Sequence, residues 1–124
     1  MAIIKDFEQL ECWKAAIQLY IFVHHLLENP KFKSEFSYKD QMKRAVLSIS
    51  NNIAEGFERK TPKERTRYII YANGSAAEVK SMIKVGRLLN LISDEDYQHS
   101  MELCVKCQKL IKGFLRYLGS VGFE

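Results

Sequence analysis

Residues 48–56 read Ser-Ile-Ser-Asn-Asn-Ile-Ala-Glu-Gly, and residues 72–78 read Ala-Asn-Gly-Ser-Ala-Ala-Glu. Each stretch lies inside a longer segment whose apolar residues recur at helical spacing. Asn, Ser and Gly lower helix propensity in mid-span, so their presence needs a compensating interaction. Close backbone contact and hydrogen-bonded packing between two helices would supply it. The two stretches therefore predict neighbouring helices held together by polar contacts.

Apolar residues elsewhere follow the same three- and four-residue steps and predict helices over about residues 7–28, 38–59, 62–89 and 94–118. No alternating apolar run suggests a strand. Four long helices with short connections are typical of an antiparallel up-down four-helix bundle. At 124 residues the chain is expected to form one domain, spanning residues 1–124.

Local signals fix the expected helix ends. Asn29-Pro30 should end the first helix, because proline disfavours a helical residue before it. Ser37 is the expected N-cap of the second helix. Thr61-Pro62 combines a capping residue with proline at the first helical position and predicts the start of the third. Gly119 is expected to end the fourth, before a frayed tail over residues 120–124.

Three helices carry patterns that predict how they pack. The first helix is expected to face the core with Leu10, Trp13, Ile17, Tyr20, His24 and Leu27. The second has an apolar stripe and a polar stripe, the latter formed by Gln41, Arg44, Ser48, Asn52, Glu55 and Arg59. The second helix thus has two faces of the kind that is usually buried. The core of a single bundle buries only one face of each helix, so we expect an assembly larger than a monomer. Gly74 and Gly86 in the third helix predict close packing.

Positive charge is concentrated in the middle of the chain. Residues 37–92 contain eleven Lys or Arg and five Asp or Glu, whereas the segments on either side each carry a net charge of −1. A positive surface of this kind attracts phosphates. The candidate nucleic-acid-binding residues are Lys39, Lys43, Arg59, Lys60, Lys63, Arg65, Arg67, Lys80, Lys84 and Arg87. The alternative is a solvated turn and a protein-interaction scaffold on which these residues are dispersed.

The sequence gives little support for a catalytic or metal-binding function. Cys104 and Cys107 have the spacing of a metal or redox pair, but they lie in mid-helix without two further ligands at workable spacing. Glu55 and Glu78 could form a general acid–base pair, yet no nucleophile has an obvious histidine partner. We therefore expect no enzyme activity, cofactor or metal. A small enzyme using Glu55 or Glu78 ranks last among the hypotheses.

The expected compartment follows from the cysteines and from hydropathy. Three cysteines are an odd number, which suits reduced thiols in a cytoplasm. The chain has no apolar run of the length that a transmembrane helix needs. Its first residues lack the apolar stretch of a signal peptide. We expect a cytoplasmic protein without a membrane partner.

The polar segments resemble a known family. The matching residues, in order, are 10–16 (LECWKAA), 41–45 (QMKRA), 48–59 (SISNNIAEGFER), Glu64 and 72–78 (ANGSAAE). They resemble bacterial four-helix-bundle proteins that include the intervening-sequence proteins encoded within large-subunit ribosomal RNA genes. The same family includes the accessory variability determinant of diversity-generating retroelements. Its polar signature here is Arg44, Ser48, Asn52, Glu55, Gly56, Gly74, Ser75 and Glu78.

The resemblance implies a four-helix protomer and a ring-like homopentamer with a basic surface, and it does not imply catalysis. For the retroelement branch it further implies binding to RNA or DNA and to a reverse transcriptase. The chain departs from the family at Ser50, where members usually carry proline. We expect this difference to affect a kink in the second helix and to leave the fold intact.

Overall fold

The computed structural model of the chain describes residues 4–120, with Ser120 described by its backbone alone. Four helices make up most of this part of the chain: α1 Glu11–Leu26, α2 Phe36–Glu58, α3 Pro62–Leu88 and α4 Asp94–Ser120. Short 3-10 turns at Phe7–Gln9 and Pro30–Phe32 precede α1 and α2. Residues 4–120 contain no strand.

The helices form the predicted antiparallel up-down bundle. Each helix packs against the next in sequence, and α4 returns to pack against α1, with the most extensive pairing between α2 and α3. One hydrophobic core runs through all four helices and includes Leu19, Ile49, Ile83 and Ile111, each with 0% exposure. The all-α bundle expected from the apolar periodicity is thus confirmed.

The start of α3 agrees with the sequence. Thr61 is the N-cap, and its Oγ1 accepts a hydrogen bond of 3.2 Å from the backbone N–H of Glu64. Pro62 is the first helical residue, a position where its missing N–H costs nothing. Helix α2 begins differently: its N-cap is Glu35, so Ser37 lies inside the helix and the predicted cap was wrong.

Two helix ends also differ from the sequence prediction. Helix α1 ends at Leu26, two residues before the predicted boundary, because the chain already turns into the Pro30–Phe32 segment there. Helix α4 continues through Gly119 to Ser120. A glycine inside a helix costs only about 1 kcal/mol, so Gly119 does not force an end. The predicted frayed tail lies outside the described residues, apart from the backbone of Ser120.

The predicted core face of the first helix is only partly correct: Leu10 and Leu27, which flank α1, are buried, but the predicted residues within α1 are not fully buried. The core side is formed by Cys12, Ala15, Ala16, Leu19, Val23 and Leu26. Trp13, Ile17 and Tyr20 are only half-buried, and His24 is exposed. Because α1 is apolar over most of its circumference, helical spacing alone fits either face. The small Ala15 and Ala16 side chains face inward, where their neighbours are closely packed.

Glycines in α2 and α3 play different roles. A Cβ on Gly56 would lie 3.0 Å from Tyr68 Cβ and 3.2 Å from the Arg65 carbonyl oxygen, so α2 and α3 meet closely there. A Cβ on Gly86 would lie 2.6 Å from Ile92 Cδ1, which confirms the close packing predicted at that position. A Cβ on Gly74 would meet nothing within 4 Å. The prediction that Gly74 permits close packing within the chain was therefore wrong.

Helix α2 runs without interruption past Ser50, where family members usually carry proline. Ser50 is buried, and its hydroxyl donates a 3.2 Å hydrogen bond to the backbone carbonyl of Leu47.

Within residues 4–120, no helix combines the length and apolar character that a membrane span requires.

Candidate nucleic-acid interface

Polar side chains of α2 and α3 meet along one line, which we call the polar seam. Its members are Gln41, Ser48 and Asn52 on α2, Arg59 directly after α2, and Tyr68, Ser75 and Glu78 on α3. At its centre the Ser48 and Ser75 hydroxyls lie 2.9 Å apart. Asn52 Nδ2 donates to Ser48 Oγ at 2.9 Å and to the Ser48 carbonyl at 2.8 Å. These three side chains are half-buried, so the predicted contact between the two polar stretches is present.

Both ends of the polar seam are also hydrogen-bonded. Gln41 Nε2 donates to Glu78 Oε2 at 2.5 Å near the N-terminus of α2. At the other end, Arg59 Nη2 donates to the Tyr68 hydroxyl at 2.9 Å. Partners for partly buried polar groups matter because an unpaired one costs about 1–3 kcal/mol. The polar seam therefore joins the two helices at three levels, through the Gln41–Glu78, Ser48–Ser75 and Arg59–Tyr68 pairs.

Three members of the predicted polar signature do not contact the opposite helix through the polar seam. Arg44 pairs with Asp40 on its own helix at 3.0 Å, with both side chains exposed. Glu55 pairs with Arg59, just past the end of α2. Gly74 is exposed on α3. The polar face of α2 is thus largely satisfied within one subunit, and it no longer argues by itself for a larger assembly.

The turn between α2 and α3 is organised by Arg59. Its guanidinium lies 2.6 Å from Glu55 Oε2, and its central carbon lies 4.7 Å from the centroid of the Tyr68 ring. The hydrogen bond to Glu55 raises the pKa of Arg59, with Tyr68 and Glu64 contributing in the same direction. Arg65 Nε donates to the Arg59 carbonyl at 2.6 Å. Two of the predicted phosphate-binding residues therefore shape the turn itself.

Three other cations of this turn are free to meet a ligand. We call Lys60, Lys63 and Arg67 the turn cluster. All three are exposed, and none belongs to an ion pair within the described chain. Lys63 and Arg67 are four residues apart on α3 and so share one side of the helix. Lys60 directly precedes this helix, and the three charges lie on a turn that Arg59 and Arg65 hold in place.

The remaining predicted cations lie elsewhere in the bundle. Lys39 and Lys43 are in the first two turns of α2, and Lys43 is sixteen residues from Arg59, which corresponds to about 24 Å along the helix. Lys84 is exposed near the C-terminus of α3. Arg87 contacts Asp94 and donates to the Ile92 carbonyl, so it holds the α3–α4 connection. Lys80, from the same predicted set, is half-buried in α3. The predicted set is therefore divided between the two ends of the bundle.

A concavity beside the N-terminal half of α2 was missed by the sequence analysis. Its volume is about 560 Å³, and it is lined in part by His24, Lys33, Lys39 and Lys43. Lys33 belongs to the α1–α2 connection, and the charge count separated it from the basic central segment at residue 37. A window reaching back to residue 31 would have grouped Lys33 with Lys39 and Lys43.

The candidate catalytic carboxylates are not brought together. Glu78 contacts Gln41, whereas Glu55 lies fourteen residues further along α2, or about 21 Å. Each carboxylate has its own polar partner, Gln41 for Glu78 and Arg59 for Glu55. The geometry therefore offers no acid–base pair between these two residues.

The three cysteines are buried in the core. Burial raises the pKa of Cys12 and Cys104 to about 11 and that of Cys107 to about 12. Cys104 Sγ donates to the Ala76 carbonyl at 3.4 Å. Among residues 4–120 there is no group of three or more His, Cys, Asp or Glu residues placed to hold a metal ion. The thiols of this part of the chain are core side chains.

Comparison with known proteins agrees with the fold. No curated protein matches the chain. A crystal structure of a protein of unknown function from the S23 ribosomal protein family of Bacteroides thetaiotaomicron superposes with a TM-score of 0.78. The match covers 84% of this chain and 97% of that one at 16% sequence identity, which supports a shared fold alone.

The family model of the 23S rRNA-intervening sequence protein matches residues 8–113. That range takes in the residues on which the sequence resemblance was based, including both polar segments and the turn between α2 and α3. The chain therefore belongs to the 23S rRNA-intervening sequence protein family.

Proposed function

We propose that the protein is a non-enzymatic homo-oligomer that binds structured nucleic acid through the turn cluster. The turn cluster is the main support for this proposal. Its three cations are exposed and belong to no ion pair of the described residues, and hydrogen bonds hold the turn beside them. Phosphate binding requires positive side chains pointing in a shared direction and needs no base-specific contact. A fixed turn also lowers the conformational entropy lost on binding.

A mobility-shift assay over a salt series tests this proposal. The probes are a fully paired RNA hairpin and a DNA hairpin of the same sequence. We expect a Lys60→Gln/Lys63→Gln variant to reduce the magnitude of the log–log salt slope by about 2, since each lost phosphate contact contributes about 0.9. The control for total charge is Lys106→Gln/Lys109→Gln on α4, a lysine pair with the same spacing in which Lys106 Nζ donates to Gln18 Oε1 at 3.3 Å.

Two outcomes of this assay would contradict the proposal. One is the absence of any shift with either hairpin at low salt. The other is an equal loss of affinity in the two double variants, because binding would then depend on total charge and not on the turn. Circular dichroism on both variants checks that the helices remain intact.

We propose that self-association uses the outer side of α3. Six exposed positions at three- and four-residue steps form this surface, which we call the outer stripe: Ile70, Gly74, Ala77, Ser81, Val85 and Leu88. Ile70 is 54% exposed and Leu88 is 81% exposed, while the middle positions are small. A second copy of the chain is the occupant that we propose, since the resemblance implies a ring-like homopentamer. Small residues in the middle would let a helix of that copy approach closely.

Light scattering coupled to size-exclusion chromatography tests the assembly. We expect Leu88→Gln to lower the measured mass relative to the unsubstituted chain. The control is Ile21→Gln, which removes an exposed apolar side chain, 52% exposed, from α1. A monomeric mass for the unsubstituted chain would contradict self-association.

A second candidate function is an interaction scaffold without a nucleic-acid role. It is favoured by the division of the predicted cations between the two ends of the bundle, and by the use of Arg59 and Arg87 in internal contacts. In that case the assembly and a protein partner are the whole function. A reverse transcriptase stays a prediction, as does the retroelement branch. An oligomer that shifts neither hairpin would favour the scaffold.

A further inference from the structure

The concavity between the C-terminal end of α1 and the N-terminal half of α2 carries an excess of positive charge. Lys33, Lys39 and Lys43 line it, and no ion pair of the described residues includes any of them. Glu28 also lines it and brings one negative charge. Three lysines and one carboxylate leave a net charge of +2 beside a space of about 560 Å³, which favours the entry of an anion.

An exposed aromatic ring lies outside the lining of the concavity, beside one of these lysines. Phe36 is the first residue of α2 and is 73% exposed. Lys39 Nζ lies 5.5 Å from the centroid of its ring. Lys39 therefore belongs both to the concavity and to the surroundings of the ring. Most of the ring remains open to solvent, which is unusual for a side chain of this size and polarity.

We propose that this concavity binds a nucleotide, with its phosphate among Lys33, Lys39 and Lys43 and its base stacked on Phe36. A simple anion would satisfy the lysines and leave the ring exposed. An apolar partner would cover the ring but bury ammonium groups without a counter-charge, which is costly. A nucleotide supplies both a phosphate and an aromatic face, and lysine contacts combined with aromatic stacking are typical of single-strand binding.

This inference rests on the proposed nucleic-acid function and extends it from phosphate contacts to stacking on a base. The turn cluster offers only charge and is expected to contact the backbone of a paired region. Stacking on Phe36 requires an unstacked base, which a perfectly paired helix does not offer. The two sites lie at opposite ends of α2, so one subunit could contact a paired region and a neighbouring unpaired strand.

Fluorescence anisotropy with two labelled probes tests the inference. One probe is a twelve-nucleotide single strand of adenylate, and the other is the fully paired RNA hairpin. We expect Phe36→Leu to weaken binding of the single strand by about 5- to 150-fold, the range that stacking on an aromatic side chain contributes. The same variant should bind the hairpin as the unsubstituted chain does. Phe36→Tyr keeps the ring and should restore single-strand binding.

The lysines are tested with Lys33→Gln/Lys39→Gln against the Lys106→Gln/Lys109→Gln control. We expect the first pair to weaken single-strand binding more than the second. Competition with adenosine monophosphate and with inorganic phosphate identifies the source of the ligand. Displacement by the mononucleotide indicates a free nucleotide, and its failure to displace the strand indicates recognition of a chain.

Three results would overturn the inference. They are single-strand binding unchanged in Phe36→Leu, an equal loss for strand and hairpin in that variant, or a change in its oligomeric mass, which would place Phe36 at a subunit interface. The two proposals can fail separately. Hairpin binding that requires Lys60 and Lys63, with no effect of Phe36, removes only this inference. Strand binding that requires Phe36, with no hairpin binding, removes only the turn cluster as an interface.

Discussion

The hydroxyl of Ser48 lies 2.9 Å from the hydroxyl of Ser75 and joins the middle of α2 to the middle of α3. Ser48 also accepts a hydrogen bond from Asn52, so it connects two partners whereas Ser75 has one. The two serines are therefore not equivalent, although their side chains are identical. Substituting each serine separately should therefore lower the stability by different amounts, and that difference tests the polar seam.

We expect Ser75→Ala to lower the free energy of unfolding by about 0.5–1.5 kcal/mol, the usual net value of one hydrogen bond. Ser48→Ala should cost more, because the Asn52 amide also loses a partner. The double variant should cost less than the sum of the two single changes. Urea unfolding at a protein concentration low enough to dissociate any oligomer measures these values, with the exposed Ser81→Ala on α3 as the control for helix propensity. A Ser75→Ala effect equal to that of Ser81→Ala would contradict the role of the polar seam.

Alanine at Gly74 and at Gly56 should change stability in opposite directions. A Cβ on Gly74 meets open space, so Gly74→Ala should stabilise a dissociated subunit by up to about 1 kcal/mol through helix propensity. A Cβ on Gly56 would lie 3.2 Å from the backbone carbonyl of Arg65, which cannot move without displacing α3. Gly56→Ala should therefore destabilise the fold. Urea unfolding at low protein concentration measures both, and a stabilising Gly56→Ala would contradict close α2–α3 packing.

Gly74→Ala should also weaken self-association, although it stabilises the separate subunit. Gly74 lies in the middle of the outer stripe, where we propose that a helix of a second copy approaches closely. Sedimentation velocity over a concentration series should show dissociation at higher concentration than for the unsubstituted chain. The control substitution is Gly113→Ala on α4, away from the outer stripe, where a Cβ would lie 3.8 Å from Arg116 Nη2. Unchanged association of Gly74→Ala would place the contact elsewhere.

The buried thiols should make the protein less stable at alkaline pH. Burial raises the pKa of Cys107 from 9.0 to about 12, so the unfolded chain loses this proton at a lower pH than the folded chain does. The thiol's contribution is complete below pH 9.0 and is lost as the pH rises toward about 12. Cys107→Ala should unfold with a shallower fall in stability between pH 9.0 and about pH 12, by at most about 1.4 kcal/mol per pH unit.

The comparison in that experiment must be between the two chains at each pH. Other groups contribute in the same range, since burial also raises the pKa of Tyr38 to about 12. Only the difference between the unsubstituted chain and Cys107→Ala isolates the thiol. Parallel pH profiles for the two chains would contradict the burial argument.

Sequence periodicity and capping chemistry were sufficient for the helices and for the start of α3. Thr61 and Pro62 act within a few residues of each other, so their effect can be read locally. Ser37 failed as a cap because the chain that enters α2 is shaped by the Pro30–Phe32 turn, and Glu35 takes the N-cap position instead. Local chemistry could not show that constraint.

The polar seam was predictable because two polar stripes on adjacent antiparallel helices have few ways to meet. The candidate nucleic-acid interface was less predictable from the sequence. Arg59, Lys60 and Arg65 are equivalent in a charge count, yet Arg59 and Arg65 form the turn and Lys60 remains exposed without an ion pair. That distinction depends on how Tyr68 and the Arg59 carbonyl are placed in three dimensions, and a linear pattern does not contain it.

Only Arg59, Lys60 and Thr61 separate α2 from α3. Closing so short a connection costs little chain entropy, and contacts between residues near in sequence form quickly. We expect this hairpin to be the nucleus of folding, with α1 and α4 adding to it afterwards. During synthesis, the α2–α3 hairpin and its turn cluster would then be folded before α4 has left the ribosome.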